Sequence, residues 1–478
     1  MASFANHFFW RAGFGPTTED MYPTPTFDAP AYFNAWWQAS AKPPLPLIAS
    51  KNVVDGLSNG INNIGRIETA NKEQKETRQQ MIRQSREEIR SLNLMWLDEM
   101  VDSTAQLREK MALFWHGHFA CRNLNSYYQQ QLLHTIREGA LGNFGELLKN
   151  VSQSAAMLAF LNNQQNRKQS PNENFAREVM ELFTVGRGNY TEQDIKEAAR
   201  AFTGWGFNLN GEFVFRKQFH DTGTKTVLGV TGRHDGEDVL NILLDQPATA
   251  VFIVRKLYKF LVNEKVNEDR VKRLAKSFYE GGYEIKPLLK DIFTSGWFYE
   301  KENTGSKIKS PVELWAGIRR ILPMELDNPP IQLLLQRALG QILLYPPSVA
   351  GWPGGTAWID SSSLLLRMRL PHLVALAEPF AFAAKSDDDV SMGRENMADA
   401  QKIPQRFKLK GDIDWDLLIK RFEKVPDAKL IDTIPASLLQ SKQNPITSLA
   451  SRFSRQDRIT TIKQITIATM ATPEFQLC

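Results

Sequence analysis

Cysteine is nearly absent. Of 478 residues only Cys121 and Cys478 carry a thiol, and their separation leaves no disulfide framework and no CxxC zinc motif. Cys121 reads as a small buried hydrophobe rather than a nucleophile. No apolar run is long enough to span a bilayer. The N-terminal "MASFANHFFWRAGFGP" lacks a basic segment followed by an apolar one, so no signal peptide is visible and the chain as written is expected to be cytoplasmic. Charge of one sign is also lacking: 58 basic residues against 53 acidic leave +5 and no dense basic tract, so nucleic acid is not an expected partner. There is no P-loop, no GxGxxG after a strand, no GxSxG elbow and no HExxH, which takes weight from the standard nucleotide-enzyme and hydrolase readings.

What is present is helix. A hydrophobic content of 42% suits a globular chain with a sizeable core, and eleven tryptophans enrich that core or its clefts in flat aromatic surface. Helical periodicity runs from about Thr69 to Val101, through "STAQLREKMALFWHGHF", through two helices parted near Gly142–Asn143, and through "ATAVFIVRKLYKFLVN" and "IKPLLKDIFTSGWFY". Thr191 and Asp194 in "YTEQD" read as the cap of one of these helices. Strand signals are few; "GEFVFRKQFHDTGTKTVLGVTG" alternates around a Gly- and Thr-bearing turn. The expected fold is mainly α: a large multi-helical single unit with a small β-hairpin near residues 212–230. Residues 1–370 form its main helical domain. Residues 371–478 supply a polar linker, around "AKSDDDVSMGRENMADAQKIPQRFKLKGD", and a C-terminal helical region packed on that domain.

Four stretches carry polar residues suited to chemistry. In "FWHGHFACR" the side chains of His116 and His118 lie roughly 200° apart on a helix. They can share a metal only if the helix breaks at Gly117; otherwise His118 continues the buried stripe Leu107, Met111, Phe114. In "SPNENFAREVMELFTVG", Ser170, Pro171 and Glu173 read as a capped helix start, and Arg177 and Glu181 as an i, i+4 pair. Glu178 sits at the edge of the apolar arc, where a carboxylate needs a cationic partner, and Glu178 and Glu181 can reach one cation together. "KQFHDTGTKTVLG" puts His220, Asp221 and Lys225 on an expected hairpin turn, a base beside an anion anchor or a routine turn. The Pro/Gly-rich "GQILLYPPSVAGWPGGTAWID" offers Trp352 and Trp358 as walls of a pocket rim, or as loop residues packed on helices.

These stretches occur in a recognisable order. "NHFFWRAGFGP", "KMALFWHGHFA", "REGALGNFGELL", "PNENFAREVMELFTVGRGNYTEQDIKEAARAFTGW", "HDTGTKTVLG", "KSPVEL", "GQILLYPPSVAGWPGGTAWI" and the terminal "TPEFQ" resemble a bacterial family catalogued as domain of unknown function 1800, over nearly the whole chain. The resemblance places His7, His116, His118, Glu173, Arg177, Glu178, Glu181, His220, Asp221, Lys225 and Trp352 in that family's motif blocks. It implies no activity. It does imply that relatives are often exported and are often encoded beside a sulfatase-like family, which makes a protein of that family the candidate partner. This chain departs from the family in showing no export signal.

The leading functional expectation is a His/carboxylate cleft performing metal-assisted or general acid–base hydrolysis or transfer on an anionic substrate. Glu178, Glu181, His220 and Asp221 would be its catalytic groups. Arg177, Lys225, Trp352 and Trp358 would bind substrate, and a divalent ion is the candidate cofactor. The rival is a non-catalytic helical binding or assembly protein whose polar residues fix helix positions. A third reading is carbohydrate or polymer binding by the tryptophan-bearing loop. Spatial convergence of the polar stretches separates the first two.

Overall fold

Helix starts follow the capping chemistry written into the chain. Thr191 accepts the Asp194 N–H through its hydroxyl while the Asp194 carboxylate takes the Thr191 N–H, opening the helix Glu192–Ala201. Asn143 accepts from Gly145 and Glu146 and starts Phe144–Gln153, so the break expected near Gly142–Asn143 is real. The computed structural model describes residues 2–22, 26–50, 72–380, 407–440, 444–449, 453 and 457–478. Most of the polar stretch assigned to a linker lies outside them. The stretch from about Thr69 to Val101, expected as one long charged helix or two short ones, holds a single helix, Lys72–Asp102.

The architecture is mainly α with small two-stranded antiparallel sheets. The hairpin expected near 212–230 is divided differently. Strand Phe213–Phe215 pairs backwards with Trp205–Phe207, and Lys225–Val227 pairs forwards with Val230–Gly232. His220 and Asp221 therefore lie on the connection between two small hairpins. Two further pairs join 324–326 to 411–413 and 379–380 to 407–408. The helix Ser361–Leu376 runs across residue 370 with Pro371 inside it. Among the described residues no helix is long and apolar enough to cross a membrane.

One hydrophobic cluster extends from Ala5 to Cys478, and its largest fully buried side chains include Trp10, Trp96, Trp115 and Trp315. The N-terminal helix Ala2–Ala12 reaches the helix Pro311–Ile321 through Gly317, where a Cβ would stand 2.1 Å from the Trp10 ring. The absent side chain is what leaves room for that indole against the helix. Residues 307–309 pair with the chain's last residues: Lys307 and Cys478 exchange backbone hydrogen bonds at 3.0 and 2.7 Å. "NHFFWRAGFGP", "KSPVEL" and "TPEFQ" are thereby neighbours.

Candidate functional site

The helix Gln106–His118 continues through Gly117, so the condition for a shared metal on His116 and His118 is not met. The Leu344 N–H donates to His116 Nε2 at 3.1 Å, which leaves the ring proton on Nδ1. Trp96 and Trp352 flank the same ring at 5.1 and 5.4 Å between centroids. Burial pushes its pKa down to about 3. His118 faces elsewhere. Its Nε2–H donates to the Phe183 carbonyl at 3.2 Å, and its Nδ1 accepts from Lys256 Nζ at 2.8 Å. Burial, then the Lys256 charge, holds this imidazole neutral.

Glu178 ends the α-helical segment Asn174–Glu178, which continues as the π-helical turn Val179–Phe183. The helix starts three residues later than the Ser170–Pro171 signal suggests. Asn172 takes the Asn174 N–H at 2.9 Å, and Ser170 is drawn into a bridge with Arg167. Arg177 does not pair with Glu181. Its guanidinium forks onto Glu192 at 2.9 and 2.7 Å and touches Glu173 at 3.3 Å. Glu181 instead accepts from Tyr190 Oη at 2.7 Å and Arg187 Nε at 2.5 Å. Glu178 is half-buried and has no hydrogen-bond partner among the described residues. Burial, then the like charge of Glu181, raises its carboxyl above the usual range.

The third stretch is closed on itself. Lys225 is 1% exposed and its ammonium donates to the carbonyls of Asp221 (2.5 Å), Gly223 (3.1 Å) and His234 (2.9 Å), which uses its three hydrogens. Asp221 accepts a fork from Arg200 at 2.8 and 3.2 Å and the Gly223 N–H at 2.8 Å. Hydrogen bonding to Arg200 outweighs its partial burial and holds its carboxyl below the usual range. His220 Nδ1 donates to the Thr203 carbonyl at 3.0 Å, and its ring stands edge-on to Phe215. One helix, Glu192–Ala201, anchors two of these stretches. Glu192 holds Arg177 at one end and Arg200 holds Asp221 at the other, about 12 Å apart along the axis.

In the fourth stretch, Gly351 (φ +80°) lies so near the end of the HGH helix that a Cβ there would meet the Gly117 carbonyl oxygen at 2.3 Å. Trp352 is half-buried against His116, and Trp358 is 7% exposed, so Trp358 is packed in the loop rather than set on a pocket rim. Gly351→Ala is expected to cost about 2 kcal/mol, combining left-handed strain with the clash. Urea unfolding checks this, and a loss under ~0.5 kcal/mol would mean that the loop is not seated on Gly117.

The predicted residues thus divide. His116 meets the Gly351–Trp352 loop, whereas His118 meets Phe183 and Lys256. His220, Asp221 and Lys225 meet around Arg200 and Thr203, and Arg177 belongs to Glu192. Among the described residues no group of three or more His, Cys, Asp or Glu side chains is placed to hold a metal ion. The donor chemistry agrees: both nitrogens of His118 are engaged, His116 Nε2 is engaged, and both oxygens of Asp221 are engaged.

Two features escape sequence reasoning. Lys256, which burial pushes down to about 8, contacts His118 and the Phe252 ring, with no carboxylate partner among the described residues. Nothing in "FIVRKLYKF" distinguishes it from its exposed neighbour Lys259. The second is an ion pair between Lys110 and Glu313, each 1% exposed, with Lys307 Nζ at 3.6 Å from the same carboxylate. Ser310 N–H also donates to Glu313 at 2.7 Å, closing the capping box of Pro311–Ile321.

The family profile described as "Protein of unknown function (DUF1800)" matches residues 7–477, and the chain belongs to that family. No curated protein and no solved structure matches it.

Proposed function

We propose that this DUF1800-family chain is a helical binding and assembly protein that acts with a protein partner, its polar motif residues serving as internal ties. The observation that carries the reading is how Lys225 is used. A lysine offered by the sequence as an anion anchor gives all three hydrogens to backbone carbonyls of its own turn. Asp221 on Arg200 and Arg177 on Glu192 follow the same pattern. A cleft for hydrolysis needs such groups turned towards one solvent-reachable point; here Lys225 closes its own turn, Asp221 ties that turn to the helix Glu192–Ala201, and Arg177 ties two helical segments.

The sulfatase-like family implied by the resemblance supplies the candidate partner. The test is to co-express this chain with a protein of that sulfatase-like family and to measure the mass of the purified material by light scattering. A stable complex of defined stoichiometry supports the reading. Separate elution, together with stoichiometric metal in the purified chain that is lost in a well-folded Glu178→Ala variant, would overturn it in favour of the metalloenzyme.

A second reading is favoured by one contact. Lys256 against neutral His118 is an acid–base pair without a carboxylate, the arrangement a lysine base needs to work near neutral pH. Reductive 13C-methylation followed by NMR titration should give one dimethyl-lysine signal with a pKa near 8 that is missing in Lys256→Arg. If the signal lost in Lys256→Arg titrates above ~10, the second reading fails.

A further inference from the structure

Five basic side chains converge where Ala2–Ala12, the HGH helix, the 307–313 turn, Ser361–Leu376 and the terminal "TPEFQ" meet: Arg11, Lys110, Lys307, Lys309 and Arg367. None is more than 6% exposed. The contacts interlock. Lys110 donates to the Trp10 carbonyl at 3.0 Å and shares Glu313 with Lys307, and both ammonium groups sit on the Phe260 ring. Lys309 lies 3.5 Å over Trp10 and 3.9 Å over Phe475 and donates to the Phe475 carbonyl at 2.5 Å. Arg367 donates to the Lys309 carbonyl and, at 3.3 Å, to Gln476 Oε1. Arg11 donates to the carbonyls of Cys478 (2.6 Å) and Asn303 (3.0 Å).

The charges do not balance. Glu313 is the buried carboxylate side chain in contact with these cations. Counting in addition the negative charge that Cys478 exerts on Arg11, Lys110, Lys309 and Arg367, five cations still face two opposite charges. Glu264, which also bears on Arg11, is exposed to solvent. Aromatic faces offset part of the remainder, but an ammonium or guanidinium held from water without a counter-ion costs several kcal/mol. Three donors in the same cluster are also orphaned: Trp10 Nε1, Arg11 Nε and Arg367 Nη1 are buried with no hydrogen-bond partner. Excess positive charge and unpaired donors are the two deficits that one acceptor-only anion removes together.

We infer that the buried basic core around Arg11, Lys309 and Arg367 is a binding site for a tetrahedral oxyanion, either free phosphate or the phosphoryl group of a small ligand. The inference is independent of the partner reading above and uses none of its residues. Burial pushes the Lys309 amine down to about 7, so the anion-free core sheds part of a proton near neutral pH. Anion binding restores that proton.

The test uses the full chain dialysed free of phosphate and sulfate. Equilibrium dialysis with radiolabelled inorganic phosphate should show one ion bound per chain, with proton uptake revealed by calorimetry in buffers of differing ionisation enthalpy. Phosphate should raise the melting temperature where sodium chloride of equal ionic strength does not. Tighter binding of phenyl phosphate than of inorganic phosphate would identify a phosphorylated ligand, and the reverse order the free ion. Arg367→Gln and Lys309→Met should each weaken binding at least about tenfold. Absence of binding to folded wild-type chain at millimolar phosphate overturns the site. So does binding that both variants leave undiminished while circular dichroism shows them folded.

Discussion

Glu313→Gln is expected to destabilise the fold by about 4 kcal/mol, the largest single-residue loss that the structure implies. The carboxylate is 1% exposed, paired with Lys110 and within 3.6 Å of Lys307. Burial alone would raise its pKa, but the two lysines outweigh burial and hold it well below the usual carboxylate range. Glutamine keeps the shape and can still receive the Ser310 N–H, so the capping box survives in part. What goes is the counter-charge: two ammonium groups remain buried, with Phe14 and Phe260 as their aromatic contacts. Removing one partner of a buried pair is far worse than removing both. The double variant Lys110→Met, Glu313→Leu should therefore lose less than Glu313→Gln alone, with Lys307 left as the residual penalty. Urea denaturation of the three proteins checks the order. A single-variant loss under ~1 kcal/mol, or a double variant worse than the single, would show that the pair is not what neutralises this core.

The difference between what could be read from the sequence and what could not follows how far each side chain's partner lies along the chain. The cap at Thr191 and Asp194 was legible because both partners lie within four residues, and so was the opposed placement of His116 and His118, which is a property of one helix. The helix start at Ser170 was misleading because a local signal lost to a local competitor, the Asn172 side chain that takes the Asn174 N–H, once residues 166–172 were tied back to the 203–220 region. Arg177 was assigned to Glu181 by helical spacing, but Glu192, fifteen residues on, offers both carboxylate oxygens. The buried basic core was illegible for the same reason in extreme form. Arg11 and Arg367 stand among apolar neighbours and Lys110 and Lys309 among polar and charged ones, so no common local pattern marks them, and their shared surroundings are assembled from segments far apart along the chain. The fold class needed only periodicity, whereas the sites needed the tertiary contacts that periodicity does not encode.

Acidification should unfold the protein in a window set by histidine rather than by carboxylates. Burial holds His7 and His116 down to about 3, and His118 well below its ordinary value of 6.5. The reasons differ in detail. His7 sits beside Arg11 and between the Gln440 side chain and the Phe298 carbonyl. His116 accepts the Leu344 N–H, and His118 accepts from Lys256. In each case the unfolded chain binds a proton near pH 6.5 that the folded chain refuses. Stability is therefore full above 6.5 and is lost as pH falls from there towards the folded values. Each histidine contributes about 2 kcal/mol of loss between pH 7 and pH 5, so the three together remove about 6 kcal/mol, a large share of a typical domain's stability. Glu178, Glu99 and Asp102 act in the opposite sense, because burial raises their carboxyls and they take up a proton in the folded state first, but none of the three is enclosed as the imidazoles are. Lys309 takes up its proton in the folded state near pH 7, at the top of this window. Glu313 adds its own loss only below the ordinary glutamate range, at more acid pH. Unfolding free energies measured by urea at half-unit steps from pH 7.5 to 4.5 should fall with a slope approaching three protons near pH 5. His116→Gln should reduce that slope by about one proton, since a neutral amide oxygen can still receive the Leu344 N–H. A flat profile down to pH 5 would mean that these rings protonate in place and that their surroundings are open to water.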